Sequence, residues 1–419
     1  MGSNKTKKLG KVKGNTLIAA IDIGKKMNYG YFRAPDGRDI KPFAFYNLRK
    51  GFEEFWTRLV DFQKGHHLEE IVVGFESTGP YAEPMLHFLR GKKVRMVQTN
   101  PTHTKRLKEL TGNSPNKTDE KDPRVIADVI ALGHALTLVI PEGPAAELRR
   151  LSQARERAIK SRTAIGNQLQ HLLFVIFPEF LWTMKHMKSK SVLHLVENYP
   201  TPESIVAMGI EGLCAVIRRT SRGRLGQECA KQIFEAAQGS VGISEGKESI
   251  VLEINHLLLS IRNEERFIED LESRMKHYLK QVPYSQSILS IKGIGEVTAA
   301  GLIGEVGDFG KFTTISEVMK LAGLDLYEIS SGRKKGQKHI SKRGRSYLRK
   351  ILFFAAINMV KNKGILHAHY QQMVGRGMPK IKALIAMSRK ALRITFALVR
   401  DNAVYVSDHQ HRFGSRLAA

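Results

Sequence analysis

Short apolar runs alternate with helix-like segments over the first 140 residues, and this alternation limits the fold more than any other feature of the chain. A short apolar run bounded by turn residues is typical of a buried strand, whereas apolar residues three and four apart indicate a helix. The strand-like runs are TLIAAIDIG (16–24), EIVVGFE (70–76) and VRMVQT (94–99). The helix-like segments are GFEEFWTRLVDFQKG (51–65), PYAEPMLHFLRGKK (80–93) and an alanine-rich segment from about 120 to 136. This pattern predicts an α/β domain with a mixed sheet.

Residues 28–47 add a strand pair to this domain. Aromatic and β-branched residues flank Asp36-Gly37, a turn dipeptide that predicts a hairpin. Longer helices follow: residues 147–173 and 254–278 carry apolar residues three and four apart, interrupted in the second segment only at Glu264. The spacing predicts a coiled coil or a long antiparallel helix pair, and packing within the chain explains it as well as dimerisation does. The predicted organisation is a basic arm (1–15), the α/β domain (16–143), the helical region (144–282), a mainly helical domain (283–406) and a tail (407–419).

A strong excess of basic residues narrows the function. The 419 residues include 67 Lys and Arg against 40 Asp and Glu, a formal net charge of +27. That charge favours a nucleic-acid-binding protein over a membrane-surface or ribosomal structural protein. Two cysteines without metal-ligand spacing, and no apolar run long enough to span a membrane, predict a reducing cytoplasm and no membrane partner. The start MGSNKTKK matches a myristoylation pattern, but its lysines fit a basic arm as well.

One basic stretch contains no acid. Between Ile329 and Arg400 the chain has 18 Lys and Arg and no Asp or Glu. Since a solvated helix face normally mixes both signs, this stretch predicts contact with the phosphates of a nucleic acid. The basic residues predicted to bind are Arg333, Lys334, Lys335, Lys338, Lys342, Arg343, Arg345 and Arg349. Residues 383–400 are predicted to form a packing helix with a basic edge.

A tight turn precedes this stretch. Gly293 and Gly295 lie between two helical patterns, as in a helix-hairpin-helix motif. Such a turn presents backbone N–H groups that can bind a phosphate. A turn that only serves helix packing is the alternative.

Four carboxylates in the first domain suggest a metal site. Asp22 and Glu76 end predicted strands, and Asp119 and Asp122 stand three apart at the start of a predicted helix, on one helix face. Taken singly, each acid can be a turn residue or a helix cap. Together at one rim of a sheet they would repel one another unless cations joined them. Mg²⁺, or Mn²⁺ in its place, suits carboxylates that share a metal with phosphate.

These features resemble the DEDD-type insertion-sequence transposases, also described as bridge-RNA-guided serine recombinases. In the N-terminal part the similarity lies in the strand-end Asp22, in FESTGPY (75–81) and in KTD with a further Asp three residues on (117–122). In the C-terminal part it lies in IKGIGEVTAAGLIGEVGDFGKFTTISEVMKLAGL (291–324), SSG (330–332) and ISKRGRSYLRKIL (340–352). The departures are Pro123, where the family usually has Ala, and Asp325, where Pro is common.

The resemblance implies a RuvC-like (RNase H-type) domain in which Asp22, Glu76, Asp119 and Asp122 hold Mg²⁺. It also implies a C-terminal transposase domain whose serine before a glycine forms a covalent phosphoserine with DNA. The implied partners are element-end, donor and target DNA, a non-coding guide RNA, and further copies of the chain, as dimers that assemble into a tetramer. The implied location is the cytoplasm of a bacterium or archaeon, at the nucleoid.

More than one interpretation is open for the nucleophile and for the reaction. Ser331, which directly precedes Gly332, is preferred to Ser330, and a purely structural SSG turn is the third possibility. A serine hydroxyl needs activation, which lysines and arginines supply poorly, so the loop requires the distant carboxylates and their metal. A RuvC-like junction nuclease that uses metal-activated water, and a non-catalytic nucleic-acid-binding protein, are the rival functions.

Overall fold

The chain divides into two compact units, Met1–Ile140 and Pro141–Ala419. The computed structural model describes residues 14–76, 79–111, 121–184, 186–187, 189–328 and 336–406. No helix in these ranges is long and apolar enough to cross a membrane. Cys214 and Cys229 are free thiols.

A mixed sheet forms the centre of the first unit. Its strands are β1 (Thr16–Asp22), β2 (Met27–Arg33), β3 (Phe43–Tyr46), β4 (Glu70–Glu76), β5 (Arg95–Thr99) and β6 (Leu136–Thr137). They lie in the order β3-β2-β1-β4-β5-β6. β4 runs parallel to β1 and β5, and the other neighbouring pairs are antiparallel. The predicted α/β class with a mixed sheet is confirmed.

Helices cover both faces of this sheet. They are α1 (Arg49–Gly65), α2 (Glu83–Arg90), α3 (Pro101–Thr111) and α4 (Lys121–Ala131). The odd-numbered side chains of β1 and β4 pack against α1 and α2, and Ile18, Ala20 and Val72 pack against α4. The alanine-rich helix ends five residues earlier than predicted, because Gly133 adopts a left-handed φ of 70° and ends it. α3 was not predicted, since PTHTKRLKELT has few apolar residues to mark a helical face.

Helices and one short strand pair build the second unit. The strands are β7 (Leu326–Glu328) and β8 (Lys338–Ile340), which pair antiparallel. The helices are α5 (Gly143–Ile176), α6 (Pro178–Thr183), α7 (Lys190–Asn198), α8 (Pro202–Thr220), α9 (Gln227–Gln238), α10 (Lys247–Leu279), α11 (Ser285–Leu289), α12 (Glu296–Val306), α13 (Ile315–Ala322), α14 (Ser346–Met359), α15 (His367–Gly375) and α16 (Lys380–Arg400). The described part of the second unit has two hydrophobic cores. In one, α6–α9 pack against the C-terminal end of α5 and the N-terminal part of α10; in the other, α11–α16 pack against the N-terminal end of α5 and the C-terminal end of α10.

α5 and α10 form the long antiparallel helix pair that the apolar spacing allowed. Arg155 pairs with Glu272 (2.6 Å), whereas Arg162, seven residues further on, pairs with Glu265 (3.7 Å). Glu264, which interrupts the spacing, accepts a hydrogen bond from the Ser161 hydroxyl of α5 (2.6 Å). The interruption is therefore a polar contact within the helix pair.

Candidate active site

Two predicted acids end neighbouring parallel strands at one edge of the sheet. Asp22 is the last residue of β1, and Glu76 is the last residue of β4. Side chains alternate between the two faces along a strand. Two residues earlier, Ala20 lies in the core beneath α4, and Gly74 faces Ile130 of α4. The Asp22 and Glu76 side chains therefore project from the face that α4 covers.

α4 carries a third acid to this edge. Arg124 of α4 lies over the Tyr31 ring of β2 (5.6 Å), and Asp128, four residues on, pairs with Arg33 (2.6 Å). These two contacts show that α4 runs in the same direction as β2. Because β2 is antiparallel to β1, α4 starts at the end of the sheet where β1 finishes. Asp122, in the first turn of α4, thus lies towards the edge that carries the two strand-end acids.

Two side chains of α3 contact these acids. The Thr104 hydroxyl donates to Glu76 Oε2 (2.8 Å), and Lys108 Nζ pairs with Asp122 Oδ1 (2.6 Å). Thr104 and Lys108 are four residues apart and share one face of α3. Sequence reasoning missed both, because the available signal, a Thr and a Lys four residues apart, is informative only once α3 is known to be a helix.

The acids supply the oxygen ligands that Mg²⁺ and Mn²⁺ prefer. Asp119 lies outside the described residues. Within the described ranges, no three acidic, histidine or cysteine side chains are close enough to hold a metal ion. The positive charge beside Asp122 is instead the ammonium group of Lys108. The donor chemistry fits a divalent metal, and Lys108 balances part of the negative charge.

The predicted nucleophile belongs to the chain segment that joins β7 to β8. Ser330 and Ser331, and the basic residues Arg333, Lys334 and Lys335, lie outside the described residues. The strands on either side pair from Leu326 opposite Ile340 to Glu328 opposite Lys338. Lys338, Lys342 and Arg343, all exposed, follow in or just after β8.

Arg345 and Arg349 bind backbone groups inside the second unit. The Arg345 guanidinium donates to the carbonyl oxygen of Glu305, and Arg349 Nη1 donates to that of Ala322 (2.9 Å). Burial, together with the charge of nearby Arg149, lowers the pKa of Arg345 to about 10, so this side chain is still cationic at neutral pH. These contacts anchor α14 to α12 and α13, a role that the sequence did not predict; contact with phosphate stays a prediction for both.

The two glycines of the predicted turn differ in backbone conformation and surroundings. Gly293 has a φ of 104°, and a Cβ there would lie 3.0 Å from the Met359 side chain, so this position needs glycine. Gly295 is the N-cap of α12 with open space around it. α11 has only five residues, so the predicted helix-hairpin-helix motif is not confirmed.

Comparison with known proteins agrees with this architecture. Residues 19–178 match the DEDD transposase model of the IS110 type, and residues 285–371 match the model described as "Transposase IS116/IS110/IS902 family". The IS110 protein of Streptomyces coelicolor, an insertion-element protein, is 26% identical over 93% of this chain and 96% of its own length. The transposase for insertion sequence element IS1111A of Coxiella burnetii is 25% identical over 69% of this chain and 68% of its own length.

The matched models identify a DEDD-type transposase, and the strand-end acids in a mixed sheet, followed by a helical C-terminal unit, agree with that class. Two family models match separate parts of the chain, and both describe transposases of the IS110 type. It belongs to the IS110 family of insertion-sequence transposases.

Proposed function

We propose that this transposase cleaves and rejoins DNA through a covalent phosphoserine at Ser331, and that a non-coding RNA directs it to its target. The catalytic part of this proposal is supported by the position of Asp22 and Glu76, which lie on one face of the sheet, at the edge where α4 begins with Asp122 in its first turn. The family resemblance supports the serine and the RNA. The proposed location is the cytoplasm of a bacterium or archaeon.

Asp22, Glu76, Asp119 and Asp122 would hold Mg²⁺, or Mn²⁺ in its place. When bound, such a metal lowers the pKa of a coordinated group and aligns a phosphate. Thr104 orients the Glu76 carboxylate through its hydrogen bond. Lys108 offsets the charge of Asp122 until a metal does so.

The chemistry conserves phosphodiester bonds. Ser331 Oγ forms a bond to phosphorus, the bond from phosphorus to a sugar oxygen breaks, and the serine proton passes to that oxygen. A sugar hydroxyl of another strand then forms a bond to phosphorus, the bond from phosphorus to Ser331 Oγ breaks, and the hydroxyl proton passes to Oγ, which restores the serine. No nucleoside triphosphate is consumed, because each phosphate ester bond that breaks is replaced by a new one. Exposed basic residues such as Lys338, Lys342 and Arg343 bind the backbone of the strand.

The serine and the carboxylates belong to different units of the chain. We propose that dimers assemble into a tetramer in which the two parts of a site come from different subunits. Light scattering of the protein with its DNA measures that stoichiometry. Sequencing of RNA that co-purifies with the full chain tests the guide, and the absence of one defined species would refute it.

A covalent-adduct assay tests the nucleophile. Element-end DNA is incubated with the protein, and protein–DNA adducts are separated under denaturing conditions. Ser331→Ala should abolish the adduct, whereas Ser330→Ala, the matched control one residue away, should retain it. Normal cleavage by Ser331→Ala without an adduct would instead favour the nuclease that uses activated water. No cleavage by the unmodified chain with any DNA or RNA would favour a binding protein.

A further inference from the structure

Three basic side chains lie together on α16. Arg389, Lys390 and Arg393 occupy successive turns, and Arg389 and Arg393, four residues apart, share one face of the helix. The opposite side of α16 packs against α13 and α14 in the C-terminal core. Arg389 and Lys390 are half-buried and Arg393 is exposed. The cluster is therefore partly enclosed by the fold and still open to a ligand.

Arg389 and Arg393 lack direct partners within the part of the chain that the structure describes. The Nε atom of Arg389 is buried and has no hydrogen-bond partner there, and neither arginine forms an ion pair there. Arg400, at the end of the same helix, differs: its Nε and Nη2 bind the Asp401 carboxylate (2.7 and 3.1 Å). Residues 329–335, which follow β7 in the sequence, contain no acid.

Burial and mutual repulsion disfavour the charged forms of the basic side chains in this cluster. Burial lowers the pKa of Arg389, and the like charge of Arg393 lowers it as well, while Asp325 acts in the opposite sense. Burial also lowers the pKa of Lys390. Removing a charge from water without a partner costs free energy, and a bound anion would recover part of it.

The cluster lies at the foot of the β7–β8 pair. Asp325, whose charge acts on Arg389, directly precedes β7, and its carbonyl oxygen accepts a hydrogen bond from the N–H of Ser341, just after β8 (2.8 Å). The Arg349 guanidinium binds a carbonyl in the last turn of α13, three residues before Asp325. Guanidinium groups from α14 and α16 thus flank the base of the strand pair whose connecting segment holds the proposed nucleophile.

We propose that Arg389 and Arg393, at the base of the β7–β8 pair, bind a phosphodiester group of the DNA strand that is cleaved. A phosphate oxygen provides the acceptor that Arg389 Nε lacks, and two anionic oxygens suit a planar guanidinium. The inference rests on the proposed function, because DNA must reach this segment for the serine to attack it. DNA is favoured over RNA because the cluster lies at the base of β7 and β8, the two strands between which the proposed nucleophile occurs in the sequence.

Binding measurements with matched variants test the site. Arg389→Gln and Arg393→Gln each remove a charge that forms no ion pair with the described residues, and Arg400→Gln removes a charge on the same helix that is paired with Asp401. Fluorescence anisotropy with an element-end duplex, over a range of salt concentrations, gives the Kd. Each of the first two variants should weaken binding about 10-fold. Each should reduce the slope of log Kd against log salt by about 0.9 for every phosphate that the variant leaves without a cationic partner. Arg400→Gln should bind like the unmodified chain.

The outcomes separate this inference from the proposed chemistry. All variants are also measured in a Ser331→Ala background, and the affinity ratios between variants should be the same in both backgrounds, so the test of this site does not depend on which residue is the nucleophile. DNA affinities of Arg389→Gln and Arg393→Gln equal to that of Arg400→Gln would overturn the site. Unchanged DNA affinity with weaker binding of co-purified RNA would assign the cluster to RNA and also overturn it. Because Arg393 is exposed, its variant keeps the test valid even if Arg389→Gln unfolds.

Discussion

Removal of Lys108 should strengthen metal binding at the acidic edge. The Lys108 ammonium lies 2.6 Å from Asp122, and the two side chains are 34% and 17% exposed. Since this pair is partly open to solvent, we take its free energy as about 1 kcal/mol, the upper end for exposed pairs. A metal that binds Asp122 must displace the ammonium group, so Lys108→Met should bind the metal about 5-fold more tightly.

Electron paramagnetic resonance of Mn²⁺ measures this effect without catalysis, because free and bound Mn²⁺ give different signals. Lys105→Met is the matched control: it removes one positive charge from the same helix, at an exposed residue that forms no ion pair with the described residues. Asp122→Asn should lose most of the binding. Equal affinities for Lys108→Met and Lys105→Met would refute the competition between lysine and metal. Undiminished binding by Asp122→Asn would refute the metal site.

Two further predictions concern the fold. Gly304→Ala should destabilise the protein by about 1–3 kcal/mol, because its Cβ would lie 2.6 Å from the backbone nitrogen of Arg149 in α5; denaturant unfolding measures this, and Gly166→Ala, in open space on α5, should cause no loss. Burial raises the pKa to about 12 for Tyr31, Tyr284 and Tyr347. A raised folded pKa favours the neutral phenol, so this contribution to stability is present below pH 10 and is lost as the pH rises through 12. Phenolate absorbance of the folded protein should show tyrosines that ionise well above pH 10, and completion of phenol ionisation near pH 10 would contradict the burial.

The strands and strand-end acids of the first unit could be predicted because their signal is local. A buried strand is a continuous apolar run, and Asp22 and Glu76 stand where two such runs end. The long helices could be predicted for the same reason, since their apolar residues repeat along the chain. The charge of +27 and the acid-free stretch are also properties of composition, and they indicated nucleic acid without any knowledge of the fold.

The tertiary structure decided which polar side chains meet. Thr104 contacts an acid 28 residues before it, and Arg345 binds a carbonyl 40 residues before it, and neither pair has a local pattern. α3 has a weak apolar face, and its position after β5 is what places Lys108 at the acids. Likewise, the basic edge of α16 was visible in the sequence, but only packing shows that Arg389 is half-buried without a partner among the described residues. Periodicity along the chain determines elements, whereas contacts between distant residues depend on how those elements pack.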